Sequence, residues 1–448
     1  MRARRGRGGR NGRPFGMPVC DPSGLRIATW NVLADSLAQS HSYLYRGCNP
    51  AALQLSNRLP RIVEWVRCAK ADVLALQEVE DFAADFKGQL AEVGLTGMYK
   101  RRTGDGHRDG VALFWRTERL TLVRAEPIEF GRELPAATAP EDSMMADLLR
   151  KPNVALVALL FDHVTGRELV VATTHLLWNP KRGLVKLRQL QHLLLRVDAM
   201  RRAPLVSAPL DAPPPESLPS PPPHTEHVQP EHASIRPVIL LGDLNLTPDS
   251  LLYTFLLGSP LSAPLHSERE WDGQQAASSQ RKQRRPIPSE LAQANVGSEV
   301  AHGSQSARAH QAPRVDRSFA STSDATALSA ASWRGDGARV ALGETHPLAA
   351  ELASAYGGLG EPECTSFHGG FQGTVDYITY TAAHFRVRSV LPTPQRVELV
   401  ARRVLPDWLT PSDHVPIACD LTWASARHAA NSERRESPWA SAPRTSHM

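Results

Sequence analysis

The sequence predicts an α/β fold built as one domain, and three observations predict it. Several short runs rich in Val, Leu, Ile and Ala are too continuously apolar to leave one face in water, so they read as interior strands. Two longer segments between them repeat apolar residues at helical spacing. The remaining length falls into proline-rich or low-complexity stretches that do not pack, which leaves roughly 280 residues for a single core.

Taken in chain order, the first element is a basic arm, residues 1–24, opening "MRARRGRGGRNGRPF" with no acidic residue before Asp21. It suits a phosphate-binding arm, the start of an organelle transit segment or a solvated tail. "RIATW" (26–30) is the first strand, and "LPRIVEWVRCAKA" (59–71) is an amphipathic helix. "DVLALQ" (72–77), "GVALFW" (110–115), "NVALVALLF" (153–161) and "ELVVATT" (168–174) read as further strands. The segment "GLVKLRQLQHLLLRVDAM" (183–200) places Leu184, Leu187, Leu190, Leu194 and Val197 on one helical stripe. A proline-rich insert at 203–236 precedes the strand "PVILLG" (237–242), and a second insert spans 261–345. The folded domain, bounded at 25–423, ends with "GTVDYITY" and "PSDHVPIACDL", and a polar tail follows at 424–448.

Composition narrows the class of molecule. The chain has 448 residues, 42% of them hydrophobic, enough for a large core. No apolar run reaches about 18 residues, so no membrane span is expected. Five cysteines without paired CxxC spacing fit free thiols in a reducing compartment, so a cytoplasmic location is expected, with nuclear or organellar placement open. A net charge of +5 and a pI near 9.0 suit a polyanionic partner, although much of the excess lies in the arm and inserts. Lys181, Arg182, Arg101, Arg102 and Arg108 fall in loops near the motifs described next.

Polar residues recur where the apolar strands end. Asn31 follows "RIATW", Glu78 follows "DVLALQ", His175 follows "ELVVATT", and Asp243 and Asn245 follow "VILLG". Asp376 sits in "GTVDYITY", and Asp413 and His414 precede the last strand-like run. Unpaired buried carboxylates are costly, so this many at strand ends imply a shared counter-charge. A hard divalent cation on oxygen ligands is the simplest one, and the absence of thiolates among these residues disfavours zinc. The two histidines and the amides then supply proton transfer and neutralise phosphate oxygens. Each residue also has a plainer reading when taken alone: Glu78 as a capped surface carboxylate, His175 as a satisfied core histidine, Asp376 as a structural acceptor.

The motifs "TWN", "LQEVE", "TTH", "GDLN", "TVDYI" and "SDHVP" resemble, in order, those of the endonuclease/exonuclease/phosphatase superfamily of Mg²⁺-dependent phosphoesterases. The wording "WNVLADSLAQSHSYLYRGC", "RDGVALFW" and "THLLWNPKRGLVKL" is most similar to the Angel branch of its deadenylase group, which also holds nocturnin and the carbon catabolite repression deadenylases. The resemblance implies a four-layer sandwich of two mixed β-sheets packed face to face and flanked by helices. It implies Mg²⁺ as cofactor, with Mn²⁺ as a substitute, and Glu78, Asn31 and Asp413 at the metal. It further implies that Asp243 polarises the attacking water, that Asn245 and His175 contact the phosphate, and that Asp376 orients His414.

The same resemblance speaks to the substrate, placing Pro180 and Phe371 as the two faces of an adenine sandwich. Phe371 also reads as an ordinary core aromatic, but the surrounding "FHGGFQG" is loop-like, which favours an accessible ring. The implied activity is a poly(A)-specific 3′-5′ exoribonuclease acting on single-stranded RNA 3′ ends in mRNA turnover. A 2′,5′-phosphodiesterase, an RNA-end 2′,3′-cyclic phosphatase and a catalytically inactive RNA-binding scaffold are the alternatives, and the proline-rich insert offers sites to protein partners. Retained Glu78, Asp243 and His414 argue against the scaffold, which has no use for costly buried charges.

Overall fold

The computed structural model describes residues 21–138, 149–204, 235–260 and 345–424. Most of the basic arm, the C-terminal tail and nearly all of the two inserts lie outside the described residues. Arg236, counted with the first insert because of its proline-rich neighbours, belongs instead to the fold. It is buried, its guanidinium meets Glu168, and its amide donates to the Arg201 carbonyl at 3.2 Å.

Two six-stranded sheets are stacked. The first combines β1 (Leu25–Asn31), β2 (Val73–Val79), β3 (Leu95–Arg101), β4 (Gly110–Arg116), β13 (Phe385–Val390) and β14 (Ile417–Trp423), in the order β13-β14-β1-β2-β4-β3. The second combines β5 (Leu120–Glu129), β6 (Val154–Asp162), β7 (Arg167–His175), β8 (Val238–Asp243), β9 (Leu352–Ser354) and β12 (Asp376–Thr381), in the order β5-β6-β7-β8-β12-β9. A short hairpin of β10 (Ser366–His368) and β11 (Phe371–Gly373) stands apart. Only β1 with β2 and β7 with β8 run parallel; every other pairing within the two sheets is antiparallel.

All six predicted strands form, and they occupy the interior of the sheets. Within the two six-stranded sheets, the four strands that composition did not announce, β3, β5, β9 and β13, are the four edges, and "FHGGFQG", read as loop-like, instead pairs as the hairpin β10–β11. An edge strand is half in water, so its sequence mixes charge and apolar residues, as "LTLVRAEPIE" and "FRVRSV" do. The first helix starts at Leu55, ahead of the predicted Leu59, and keeps Pro60 inside it. The second runs over Gly183–Arg202.

Alternation along the strands sorts their side chains into layers. Leu25 and Ile27 of β1, Val73 and Ala75 of β2, Val171 of β7, and Ile239 and Leu241 of β8 fill the space between the sheets. Ala28, Trp30, Leu74 and Leu76 face outward and pack on Ile62, Trp65 and Val66 of the Leu55–Ala69 helix. Val170, Ala172, Val238 and Leu240 face the other way, onto Leu187, Leu190 and Leu194 of the Gly183–Arg202 helix and onto Leu252 and Phe255. The result is a four-layer sandwich of helices, sheet, sheet and helices. No helix among the described residues is long and apolar enough to cross a membrane.

The described residues complete both sheets, and the chain ends that flank each insert are neighbours. Arg236 bonds to Arg201, and Gly258 lies against Ala350. Replacing 205–234 or 261–344 by a short Gly/Ser linker therefore shifts the melting temperature by no more than about 3 °C, because loop closure depends weakly on length. A drop of about 10 °C in either variant, read by scanning calorimetry, contradicts this domain assignment.

Candidate active site

The layer between the sheets is apolar at one end and turns polar at the other, and strand direction decides which end. Asn31, Glu78, His175 and Asp243 lie at or next to the C-terminal ends of the two parallel pairs. Asp376 opens β12, which is antiparallel to β8, and its register partner is Asp243. His414 precedes β14, which is antiparallel to β1, so it returns to the same edge. Alternation then places Asn31, His175, Asp243 and Asp376 on the rows that continue Ile27, Val171, Leu241 and Ile378 into the inter-sheet space. Beneath them, Gln77 donates from Nε2 to Thr29 Oγ1 at 3.1 Å and to Thr173 Oγ1 at 3.2 Å, a polar tie between the two sheets.

Glu78 breaks the alternation, and the structure shows how. Its even-numbered neighbours Leu74 and Leu76 face the helices, so a regular strand points Glu78 away from the site. The register against β4 slips between Gln77 and Val79, and Glu78 takes φ 57°, a left-handed conformation unusual for a non-glycine residue. This bulge turns the carboxylate inward, where Oε1 accepts from Asn31 Nδ2 at 2.9 Å and Oε2 accepts from Ala34 N–H at 3.0 Å. Backbone strain of this kind costs about 1–3 kcal/mol and is held only where its surroundings enforce it. Asn245 is the second such residue at the site, with φ 53°.

Asp243 is the hub. Its Oδ2 accepts from Asn31 Nδ2 at 3.0 Å and lies 3.5 Å from His175 Nε2 and 3.8 Å from His414 Nε2. Its Oδ1 accepts from the Asn245 amide at 3.0 Å. The Asn245 side chain donates to the Leu176 carbonyl at 3.1 Å, and buried Lys186 donates to the Asn245 carbonyl at 2.8 Å. His175 is held through its backbone: its carbonyl accepts from Asn153 Nδ2 at 3.0 Å, and Asn153 is in turn held by Gln189 at 3.2 Å.

His414 is fixed from three sides. Its ring Nδ1 lies 2.8 Å from Asp376 Oδ2, its carbonyl accepts from Trp30 Nε1 at 2.8 Å, and its amide donates to Ser412 Oγ at 3.2 Å. Burial works against a charged ring, but Asp376, Asp243 and Asp413 outweigh it and hold the imidazole well above its ordinary value. His414 is accordingly poised as a cation facing Asp243. Asp413 accepts from the Tyr45 hydroxyl at 2.9 Å.

The donor set fits a hard divalent cation. Burial pushes the Glu78 carboxyl up; Asp413 and Asp109 add to this, while His175 and the Asn31 hydrogen bond oppose it. Carboxylates crowded in this way form the oxygen-rich environment that suits Mg²⁺, although Asp109 is also paired with Arg102 at 3.4 Å. Asn31 meets the site through its amide nitrogen, and its Oδ1 is taken up by the Leu33 amide at 3.0 Å. In this arrangement it joins the Glu78 and Asp243 carboxylates. A second grouping, one oxygen each from Asp243 and Asp376 with a ring nitrogen of His414, lies within 4.8 Å. A ring nitrogen is less suited to Mg²⁺ than an oxygen is.

Pro180 and Phe371 lie outside the hydrogen-bonded cluster just described. Pro180 opens the short turn Pro180–Arg182 after His175, and Phe371 opens β11 ahead of Asp376; both are half-buried. The Phe371 ring folds over Gly373, where any side chain meets it. Three residues escaped the sequence reading. Tyr45 closes a short helical turn, Ser42–Tyr45, and His368 ends the three-residue strand β10, and the sequence carried no signal for either. Asp109 had one: it immediately precedes β4, whose first residue pairs with Val79 beside Glu78.

The Endonuclease/Exonuclease/phosphatase family profile matches residues 28–414. Protein angel homolog 2 of Danio rerio is 33% identical over 241 residues, which is 52% of this chain and 35% of that protein. Carbon catabolite repressor protein 4 homolog 3 of Arabidopsis thaliana is 27% identical over 415 residues, covering 89% of this chain and 75% of the plant protein. The crystal structure of ANGEL2, a 2′,3′-cyclic phosphatase in complex with adenosine-2′,3′-vanadate, superimposes with a TM-score of 0.62 at 26% identity, covering 89% of this chain and 95% of that one. Sequence motifs, sheet order and strand-end polar cluster agree with these matches, and the chain belongs to the endonuclease/exonuclease/phosphatase family.

Proposed function

We propose that this chain hydrolyses phosphoesters at the 3′ ends of single-stranded RNA, with poly(A) as the preferred substrate and Mg²⁺ as the cofactor. The observation that carries this is the surrounding of Asp243 Oδ2 by Asn31, His175 and His414 at the mouth of the sandwich. Asp243 accepts a proton from the attacking water, while Asn245 and His175 hold phosphate oxygens. His414, kept charged by Asp376, stabilises the oxygens as charge builds on them. Glu78 would hold the cation, with Asp413, whose charge acts on Glu78, as a further candidate oxygen. Bound Mg²⁺ supplies Lewis-acid polarisation of the phosphoryl group.

Pro180 and Phe371 favour an adenine at the end of the RNA. Phe371→Ala lowers the catalytic efficiency on poly(A) by about ten- to hundredfold, the value of one stacked base, and leaves the Mg²⁺ dependence unchanged. The measurement is the ratio of kcat/KM on A-ended and U-ended RNAs for the parent and the variant. Equal efficiency on both RNAs, with no loss on Phe371→Ala, overturns the poly(A) preference. The likeness to ANGEL2 favours a second reading, an RNA-end 2′,3′-cyclic phosphatase, and an oligonucleotide ending in cyclic phosphate tests it in the same assay.

A further inference from the structure

The β10–β11 hairpin lies along the segment that carries His414. Ser366 bridges His414, the Phe367 amide donates to the Asp413 carbonyl at 2.8 Å, and the Val415 amide donates to the Thr365 carbonyl at 2.8 Å. At the tip of β10, His368 is the register partner of Phe371. Its ring stands 6.3 Å from that of Phe371 and 6.4 Å from that of Tyr45, whose hydroxyl bonds Asp413. A row of rings thus leads from Asp413 through Tyr45 and His368 to Phe371.

His368 has a defined polarity. Its Nδ1 accepts from the Gly370 amide at 3.1 Å, which leaves the ring proton on Nε2. Among the described residues no hydrogen bond uses that Nε2, and the atom is not among the fully buried unpartnered ones, so it keeps access to solvent. The tip is also fixed: the Gly369 amide donates to the Leu44 carbonyl at 2.9 Å, and at Gly369 the same backbone lies too close to admit a side chain. His368 is thus a donor rigidly held, without a protein acceptor among the described residues, in the row between Phe371 and the Tyr45–Asp413 pair.

We propose that His368 is a specificity residue that donates its Nε2 hydrogen to the 2′-hydroxyl oxygen of the nucleotide whose base rests on Phe371, and so selects ribose over deoxyribose. This rests on the reading of the site as one for RNA ends. The 2′-hydroxyl is the group that separates RNA from DNA, and one hydrogen-bond donor is the least a site needs to read it.

The test is the dissociation constant of adenosine 5′-monophosphate and of 2′-deoxyadenosine 5′-monophosphate, by calorimetry with Mg²⁺, for the parent, His368→Ala and His368→Gln. The parent binds the ribonucleotide about tenfold more tightly, a single hydrogen bond's worth. His368→Ala brings the ribonucleotide down to the deoxynucleotide's affinity and leaves the latter unchanged, whereas His368→Gln, which keeps an N–H donor, recovers part of the preference. Unchanged melting temperatures accompany these shifts. No preference in the parent, or an equal loss for both nucleotides in His368→Ala, overturns the proposal. The same preparations are assayed for hydrolysis of RNA ends: hydrolysis without a ribose preference removes this inference alone, and absence of hydrolysis removes the functional reading and this inference with it.

Discussion

Asp243→Asn lowers the turnover number by about a hundred- to ten-thousandfold, the range lost with a positioned proton acceptor, while the protein still folds and still binds RNA. The substitution preserves shape and an oxygen at the position that takes the Asn245 amide. It removes the negative charge that Asn31, His175 and His414 surround. An amide cannot take a proton from water near neutral pH, so the loss falls on kcat and much less on KM. A purely structural role for Asp243 predicts the opposite pattern, a lower melting temperature with turnover per folded molecule unchanged. Circular dichroism melting beside single-turnover rates separates the two.

Glu78→Gln gives the second large effect, a fall in turnover of about a hundred- to thousandfold that excess Mg²⁺ does not restore. The isosteric amide keeps one oxygen and so accepts one of the two hydrogen bonds, from Asn31 or from Ala34, that hold this position; an unchanged melting temperature without Mg²⁺ shows that the bulge survives. What disappears is the anionic anchor for the cation. A readout independent of activity follows from linkage: a ligand at a hundred times its dissociation constant stabilises the folded state by about 2.7 kcal/mol. Saturating Mg²⁺ therefore raises the melting temperature of the parent and leaves that of Glu78→Gln nearly unchanged. Equal Mg²⁺ stabilisation of both proteins moves the cation away from Glu78, toward the grouping of Asp243, Asp376 and His414.

The parts of this molecule legible from its sequence are those whose composition is dictated by a single surrounding. Interior strands such as "VILLG" are apolar on both faces because both faces are buried, and the polar residues that end them stand out against that background. Edge strands have one free side and a mixed composition, so β3, β5, β9 and β13 passed unannounced. The site divides in the same way. Asn31, His175 and Asp243 follow from strand alternation, but Glu78 lies on the wrong parity and reaches the site only through a bulge that no local propensity announces. Tyr45, Arg58 and His368 depend on tertiary contacts alone. Arg58 is fully buried and donates to the carbonyls of Val32, Leu33 and Pro411, tying the loop after Asn31 to the loop that carries Asp413 and His414. Nothing in "SNRLPRIVEWV" distinguishes that arginine from one on a solvated helix face.

The polar end of the sandwich is proposed as a metal-dependent hydrolytic site for RNA 3′ ends. The most direct measurement is the release of product from 5′-labelled oligoadenylate, a random-sequence RNA and an RNA ending in 2′,3′-cyclic phosphate, each with Mg²⁺ and with a chelator, for the parent and for Asp243→Asn. The account predicts Mg²⁺-dependent shortening of oligoadenylate from its 3′ end, abolished by the chelator and lost in Asp243→Asn. Conversion of the cyclic phosphate alone selects the phosphatase reading of the same site. Turnover of none of the three RNAs, or turnover that persists in the chelator or in Asp243→Asn, contradicts the account.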